Sequence, residues 1–106
     1  MRLSLLVILP FLGLAACATE TEEAEGSEVD AILALTGDTA AGETVFTSNC
    51  AGCHGADGTG GSGPNIVGES AEDIAEAVLY GEGDMPAFGD TLEDQDIADV
   101  IAFLNQ

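Results

Sequence analysis

The chain is 106 residues long, with 20 Asp and Glu against one Lys or Arg, which is Arg2, and a formal net charge of −19. A surface of that sign repels nucleic acid and anionic lipid head groups, which excludes nucleic acid as a partner and requires any protein partner to present a basic or neutral face. Three cysteines, one histidine and no tryptophan leave few side chains able to carry specialised chemistry.

Residues 1–16 read as an export signal. Arg2 supplies the positive start, and Leu3 to Leu14 is an apolar run ending in small residues. A dozen apolar residues is too short for a membrane span, which needs roughly 20. Leu14-Ala15-Ala16-Cys17 resembles the lipobox of bacterial lipoproteins, which implies cleavage before Cys17 and diacylation of that cysteine. Acyl chains then tether the exported chain to a membrane, each buried CH₂ contributing about 0.8 kcal/mol. Export places the chain outside the cytosol, on the periplasmic side of a bacterial membrane. Cys17 takes the lipid, so Cys50 and Cys53 remain as a pair, and the mature chain keeps no Lys or Arg.

Residues 17–36 read as a lipidated N-terminus and acidic tether. Ala18 to about Glu28 has no large apolar residue and is expected to be a flexible spacer. Extended, it spans some 30–40 Å at about 3.5 Å per residue. Val29 to Leu35 is short and apolar, and is either a helical turn packed on the domain or the end of the tether.

Residues 37–106 form one domain of about 70 residues, a size that commonly needs a staple or a filler besides its own side chains. The fold class is all-α, with three main helices. The first is predicted from about Thr39 to Cys50, capped by Asp38 or Thr39, with Glu43 in its first turns. The second is predicted from Ala71 to Tyr80, capped by Ser70 with Asp73 and stopped by Gly81. The third is predicted from about Leu92 to Leu104. Ile97, Val100, Ile101 and Leu104 share one face, and Glu93, Asp94, Asp96 and Asp99 the other. Two Gly-rich irregular stretches, 55–65 and 81–90, separate the helices.

Cys50-Ala51-Gly52-Cys53-His54 is the attachment signature of c-type haem. Two thiols three residues apart reach the two vinyl groups on one porphyrin edge, and the adjacent His54 then falls at the iron. A thioredoxin-like dithiol requires a βαβ setting that this sequence lacks. A structural zinc site requires a fourth ligand, and the domain holds no further Cys or His. One covalent haem c also supplies the missing core. With His54 on one side of the iron, elimination leaves Met85 for the other. No second His and no Lys exist, and Met85 stands before Pro86 in a Gly/Pro loop. A His/Met pair is the arrangement of electron-transfer cytochromes.

From about Gly37 to Gln106 the sequence resembles the class I monohaem cytochromes c. Gly42 and Phe46 precede the CxxCH motif; Gly63-Pro64-Asn65-Ile66 and Gly83-Asp84-Met85-Pro86-Ala87-Phe88 follow it; Val100 and Phe103 lie in the last helix. The resemblance implies a cytochrome c fold wrapped around the haem, with Gly42 letting the first and last helices cross closely and Phe46 and Phe103 packed at the crossing. It also implies that the Pro64 carbonyl accepts from the His54 ring. The Lys ring of the mitochondrial relatives is missing. So are basic residues for the haem propionates, a role left to backbone N–H groups, Asn65, Ser62, Tyr80 or water. The implied activity is single-electron transfer to and from redox protein partners, without bond-making catalysis. The alternative is an open sixth iron position, which would make a gas sensor or a small redox catalyst.

Overall fold

The computed structural model describes residues 26–106, and the signal sequence and Cys17 lie outside that range. Five helices are present among the described residues. They are α1 (26–33), α2 (Thr39–Asn49), α3 (Ala51–His54), α4 (Ala71–Tyr80) and α5 (Asp94–Leu104). Among the described residues the only β pairing is a single bridge between Glu82 and Met85.

Local chemistry sets most of the boundaries. Asp38, in extended conformation, caps α2 by accepting from the N–H groups of Ala40 and Ala41 at 3.0 and 3.3 Å. The helix ends at Asn49, and Cys50 is its C-cap. Glu43 falls beyond the first turn, which contains no acidic residue. Ser70 Oγ accepts from the Asp73 N–H at 3.1 Å to start α4, and Gly81 at φ 81° stops it. The last helix starts two residues later than expected. Glu93 is its N-cap, and its N–H donates to Asp96 Oδ2 at 3.0 Å, the return arm of a capping box. Leu92 stays in the preceding turn, its N–H bonded to the Phe88 carbonyl.

The centre of the fold is the crossing of α2 and α5. Phe46 is fully buried, and its ring centroid lies 5.3 Å from that of Phe103 at a 46° tilt. Burying such a side chain is worth roughly 1.5–3 kcal/mol, and the aromatic pair adds about 0.5–1.5. Gly42 makes the crossing possible: a Cβ there would overlap the Asp99 carbonyl and come within 3.0 Å of Phe103 Cβ. Ile97, Val100 and Leu104 from α5 and Ile74, Val78 and Leu79 from α4 complete the core.

Two features depart from the sequence pattern. The folded part begins before Gly37: Gly26 to Glu28, expected as flexible spacer, are helical, and Val29 and Ile32 of α1 are buried in the core. Of the two readings of Val29 to Leu35, packing on the domain is correct, because this stretch covers apolar surface that the other helices leave open. Asp99, assigned by periodicity to the solvent face, is instead buried at 6% exposure. Its carboxylate accepts from the Asp38 N–H at 2.8 Å and from Gln95 Nε2 at 2.9 Å, so the buried group is hydrogen-bonded.

Candidate haem-attachment site

The site is built where α2 ends. The chain leaves α2 at Cys50, turns through the short helix α3, and presents Cys50, Cys53 and His54 within one and a half turns. This four-residue helix α3 carries no strong propensity of its own. The N–H groups of Cys53 and His54 bond back to the Cys50 carbonyl, and that of Gly55 to the Ala51 carbonyl. Cys50 is buried and Cys53 exposed, and the two are not joined in a disulfide. Burial pushes the Cys50 thiol above its ordinary pKa, and the neighbouring Cys53 pushes the same way.

His54 is 7% exposed. Its Nδ1 lies 2.8 Å from the Pro64 carbonyl oxygen. A carbonyl only accepts, so Nδ1 carries the proton and Nε2 keeps the lone pair. Among the described residues Nε2 has no hydrogen-bond partner. The imidazole is therefore oriented on one side and available on the other, the usual arrangement of a metal-ligating histidine.

The Gly-rich segment after the motif is a backbone cradle for this ring. Gly60 N–H donates to the His54 carbonyl and Gly63 N–H to the Cys53 carbonyl, both at 2.7 Å. Gly63 lies close to the imidazole, where a Cβ would sit 3.1 Å from Cε1 and 3.2 Å from Nδ1. A side chain at this position would crowd the ring. Asn65 Oδ1 accepts from the Val67 N–H at 2.9 Å, closing the turn after Pro64.

Met85 sits in a tight turn between α4 and α5. The N–H and C=O groups of Glu82 and Met85 exchange hydrogen bonds at 2.9 and 3.1 Å, with Gly83 at φ 57°. Met85 is half-buried and packs against the apolar cluster that also contains Cys50. Gly81 admits the returning strand of the turn: a Cβ there would come 2.8 Å from the Met85 carbonyl. The structure thus brings His54 and Pro64 together and sets Cys50 and Met85 on one core. Cys17 lies outside the described residues. The close approach of Gly63 to the ring is not legible in the sequence, where the only signal is the run of glycines. Tyr80 is exposed at the end of α4.

The alternatives for the cysteines find no support in this geometry. Among the described residues no three His, Cys, Asp or Glu side chains converge as a metal site, and no strand flanks the cysteines as a thioredoxin-like motif requires.

Comparison with known proteins agrees with the site. The family model described as "Cytochrome C oxidase, cbb3-type, subunit III" matches residues 37–104. Cytochrome c6 of a Picosynechococcus strain is 39% identical over 93 residues, covering 67% of this chain and 74% of that protein. The crystal structure of cytochrome c6 from the diatom Phaeodactylum tricornutum superposes with a TM-score of 0.56 at 35% identity, over 64% of this chain and 91% of that one. Cytochrome cL from Hyphomicrobium denitrificans superposes with a TM-score of 0.58 at 27% identity, over 62% of this chain. This chain spans less than half, 45%, of the cytochrome cL chain. An all-α domain with a CxxCH turn and an oriented, buried histidine defines a covalent haem protein. The chain belongs to the class I monohaem c-type cytochromes. It carries one covalently bound haem c, with Cys50 and Cys53 in the attachment spacing.

The residues present fit that group. Two unpaired thiols stand beside a buried imidazole whose Nε2 is uncommitted. No polar side chain competes for that nitrogen among the described residues.

Proposed function

We propose that this protein is an exported single-electron carrier, tethered to a membrane by lipid on Cys17, in which His54 and Met85 are the axial ligands of the haem iron. The observation that carries the reading is the clamped imidazole: Nδ1 bonded to Pro64 at 2.8 Å, Nε2 uncommitted, next to both cysteines. When bound, the haem supplies a one-electron ferric/ferrous couple. Cys50 and Cys53 hold it by thioethers. Pro64 fixes the plane of His54 and raises its basicity as a ligand. Met85 is presented by a turn closed by the Glu82–Met85 hydrogen bonds with Gly83 at positive φ, and its thioether together with the His54 imidazole would hold the iron.

Residues 1–16 act as the signal, and residues 18–25 as the tether. That tether is shorter than the sequence suggests, because the chain is already helical at Gly26. Nine residue steps from Cys17 to Gly26 reach at most about 30 Å, which holds the domain near the bilayer surface on the periplasmic side. Among the described residues no helix is long and apolar enough to cross a membrane. Partners are redox proteins with a basic or neutral face, docking at the haem edge near Cys50 and Cys53, where Cys53 is exposed.

The test is the visible spectrum of the mature haem-loaded protein, oxidised and reduced, with and without CO. A low-spin c-type spectrum with the weak far-red ferric band of sulfur ligation, unmoved by CO, is expected. A high-spin spectrum that shifts with CO would instead establish an open iron and a gas-binding or redox-catalytic role. Protein free of covalent haem would overturn the whole assignment.

A further inference from the structure

Helix α1 stands outside the segment that the family model matches, which begins at residue 37. It is nevertheless held firmly in the fold. Val29 and Ile32 are 5% and 1% exposed. The link from α1 to α2 is pinned to α5. Gln95 Nε2 donates to the Thr36 carbonyl at 2.9 Å, the Asp38 N–H donates to Asp99 Oδ1 at 2.8 Å, and Gly37 lies so close that a Cβ there would overlap the Ala98 carbonyl. The exit from α1 is bonded as well: the Ala34 N–H donates to the Asp30 carbonyl at 3.1 Å, and the Leu35 N–H to the Ile32 carbonyl at 3.0 Å.

Two leucines on this fixed frame remain open. Leu33 and Leu35 are 39% and 40% exposed, two of the four large hydrophobic residues left exposed among the described residues. They line one shallow cleft with Ile32 and with Ala98, Ile101 and Ala102 of α5. No charged residue lines it. Single exposed hydrophobic residues are ordinary on a protein surface, whereas several that share one uncharged cleft mark a contact surface. The chain carries 20 Asp and Glu, so an uncharged stretch of this kind is set apart from the rest of its surface.

The place of the cleft in the chain points to what covers it. Cys17 precedes Gly26 by nine residue steps, at most about 30 Å. Leu33 follows Gly26 by seven residues, about 10 Å along the helix. Lipid on Cys17 keeps the cleft within reach of the bilayer. Tethering also makes the contact intramolecular, so a small apolar area is enough to hold it. Exposed carboxylates stand beside the lining residues in sequence, Asp30 before Ile32 and Glu72 after Ala71, and they favour zwitterionic over anionic lipid.

We propose that the cleft between α1 and α5 is a membrane-contact surface: Leu33 and Leu35 enter the headgroup–acyl boundary of a zwitterionic bilayer and fix the orientation of the haem domain on it. This rests on the reading of Cys17 as the lipid anchor. Cys53 is exposed and does not line this cleft, so the domain rests on lipid with its haem edge left to partners.

The test uses the mature, lipidated, haem-loaded protein in phosphatidylcholine vesicles. With Cys17 acylated and Cys50 and Cys53 in thioethers, Ala34→Cys supplies a single free thiol for a nitroxide label, at an exposed position between the two leucines. Thr47→Cys, on the exposed face of α2, carries the reference label. Relaxation of each label by oxygen, which partitions into lipid, is compared with relaxation by a water-soluble nickel chelate. The oxygen-to-nickel ratio at residue 34 is expected to be several-fold above that at residue 47. Leu33→Asp combined with Leu35→Asp is expected to bring the two ratios together while the haem spectrum stays unchanged. Leu33→Ser combined with Leu35→Ser, a milder pair, is expected to lower the ratio in the same direction. Equal ratios at residues 34 and 47 in the otherwise wild-type protein overturn the proposal. A residue 34 label shielded from both reagents means that protein, a second copy or a partner, covers the cleft in place of lipid, and overturns it too. A high ratio that survives both leucine pairs overturns the assignment to Leu33 and Leu35. Sedimentation of the vesicles separates this surface from the anchor. Wild-type protein left in the supernatant means that Cys17 carries no lipid, and both readings fall. Protein that sediments with a water-exposed residue 34 keeps the anchor and loses only the contact surface.

Discussion

Substituting Gly42 by alanine isolates the helix crossing on which the fold depends. On propensity alone the change is favourable by about 1 kcal/mol, since alanine replaces glycine inside a helix. The structure reverses that sign. The new Cβ overlaps the carbonyl of Asp99, a backbone group that no rotamer change can move, and crowds Phe103 Cβ at 3.0 Å. Relief requires α2 and α5 to separate. Overpacking of this kind costs about 1–3 kcal/mol, and more against backbone. Separation also weakens the Phe46–Phe103 pair at 5.3 Å, worth about 0.5–1.5 kcal/mol beyond burial. The carboxylate of Asp99, whose backbone is displaced, bonds the Asp38 N–H at 2.8 Å, so the α2 cap is strained as well. The net expectation is a loss of roughly 2–3 kcal/mol, or about 10–20 °C in thermal midpoint for a domain of this size. Far-UV circular dichroism of the haem-loaded G42A protein measures it, with Thr47→Ala on the exposed face of α2 as the reference. A midpoint within about 2 °C of that reference would refute the close-crossing argument, because propensity would then have outweighed the clash.

Asp99→Ala leaves the Asp38 N–H and the Gln95 amide without their shared acceptor and should destabilise the domain by about 1–3 kcal/mol in urea unfolding; an unchanged midpoint would mean water replaces the carboxylate. Cys17→Ser should move the protein from the membrane to the soluble fraction with an unaltered haem spectrum, and continued sedimentation with membranes would refute the lipid tether. Electron transfer to a basic redox protein should slow as ionic strength rises, since salt screens a surface with a net charge of −19. A rate that rises with salt would mean that the basic partner meets like charge on this protein and would refute the charge argument.

Much of the site is visible in the chain's own order. The CxxCH spacing is a covalent constraint: two thiols and a ligand must meet one planar group, so the residues sit together in sequence whatever surrounds them. The start of α2 and both ends of α4 are likewise local, set by capping hydrogen bonds of Asp38, Ser70 and Gly81 that reach no further than about a turn. The proposal of Met85 as a ligand rests on the scarcity of alternatives in the composition.

Contacts between segments far apart in the chain are not legible this way. Asp99 falls on the polar face of α5 by periodicity, yet 61 residues separate it from the N–H of Asp38 that makes its burial favourable. Val29 and Ile32 form too short a pattern to specify a docked helix, and they are buried because α4 and α5 leave apolar surface beside them. Gly63 resembles any loop glycine until the His54 ring is placed against it. Helical periodicity and capping are properties of a few consecutive residues. Burial depends on what the rest of the chain brings alongside, and that is settled only when α2 and α5 cross at Gly42.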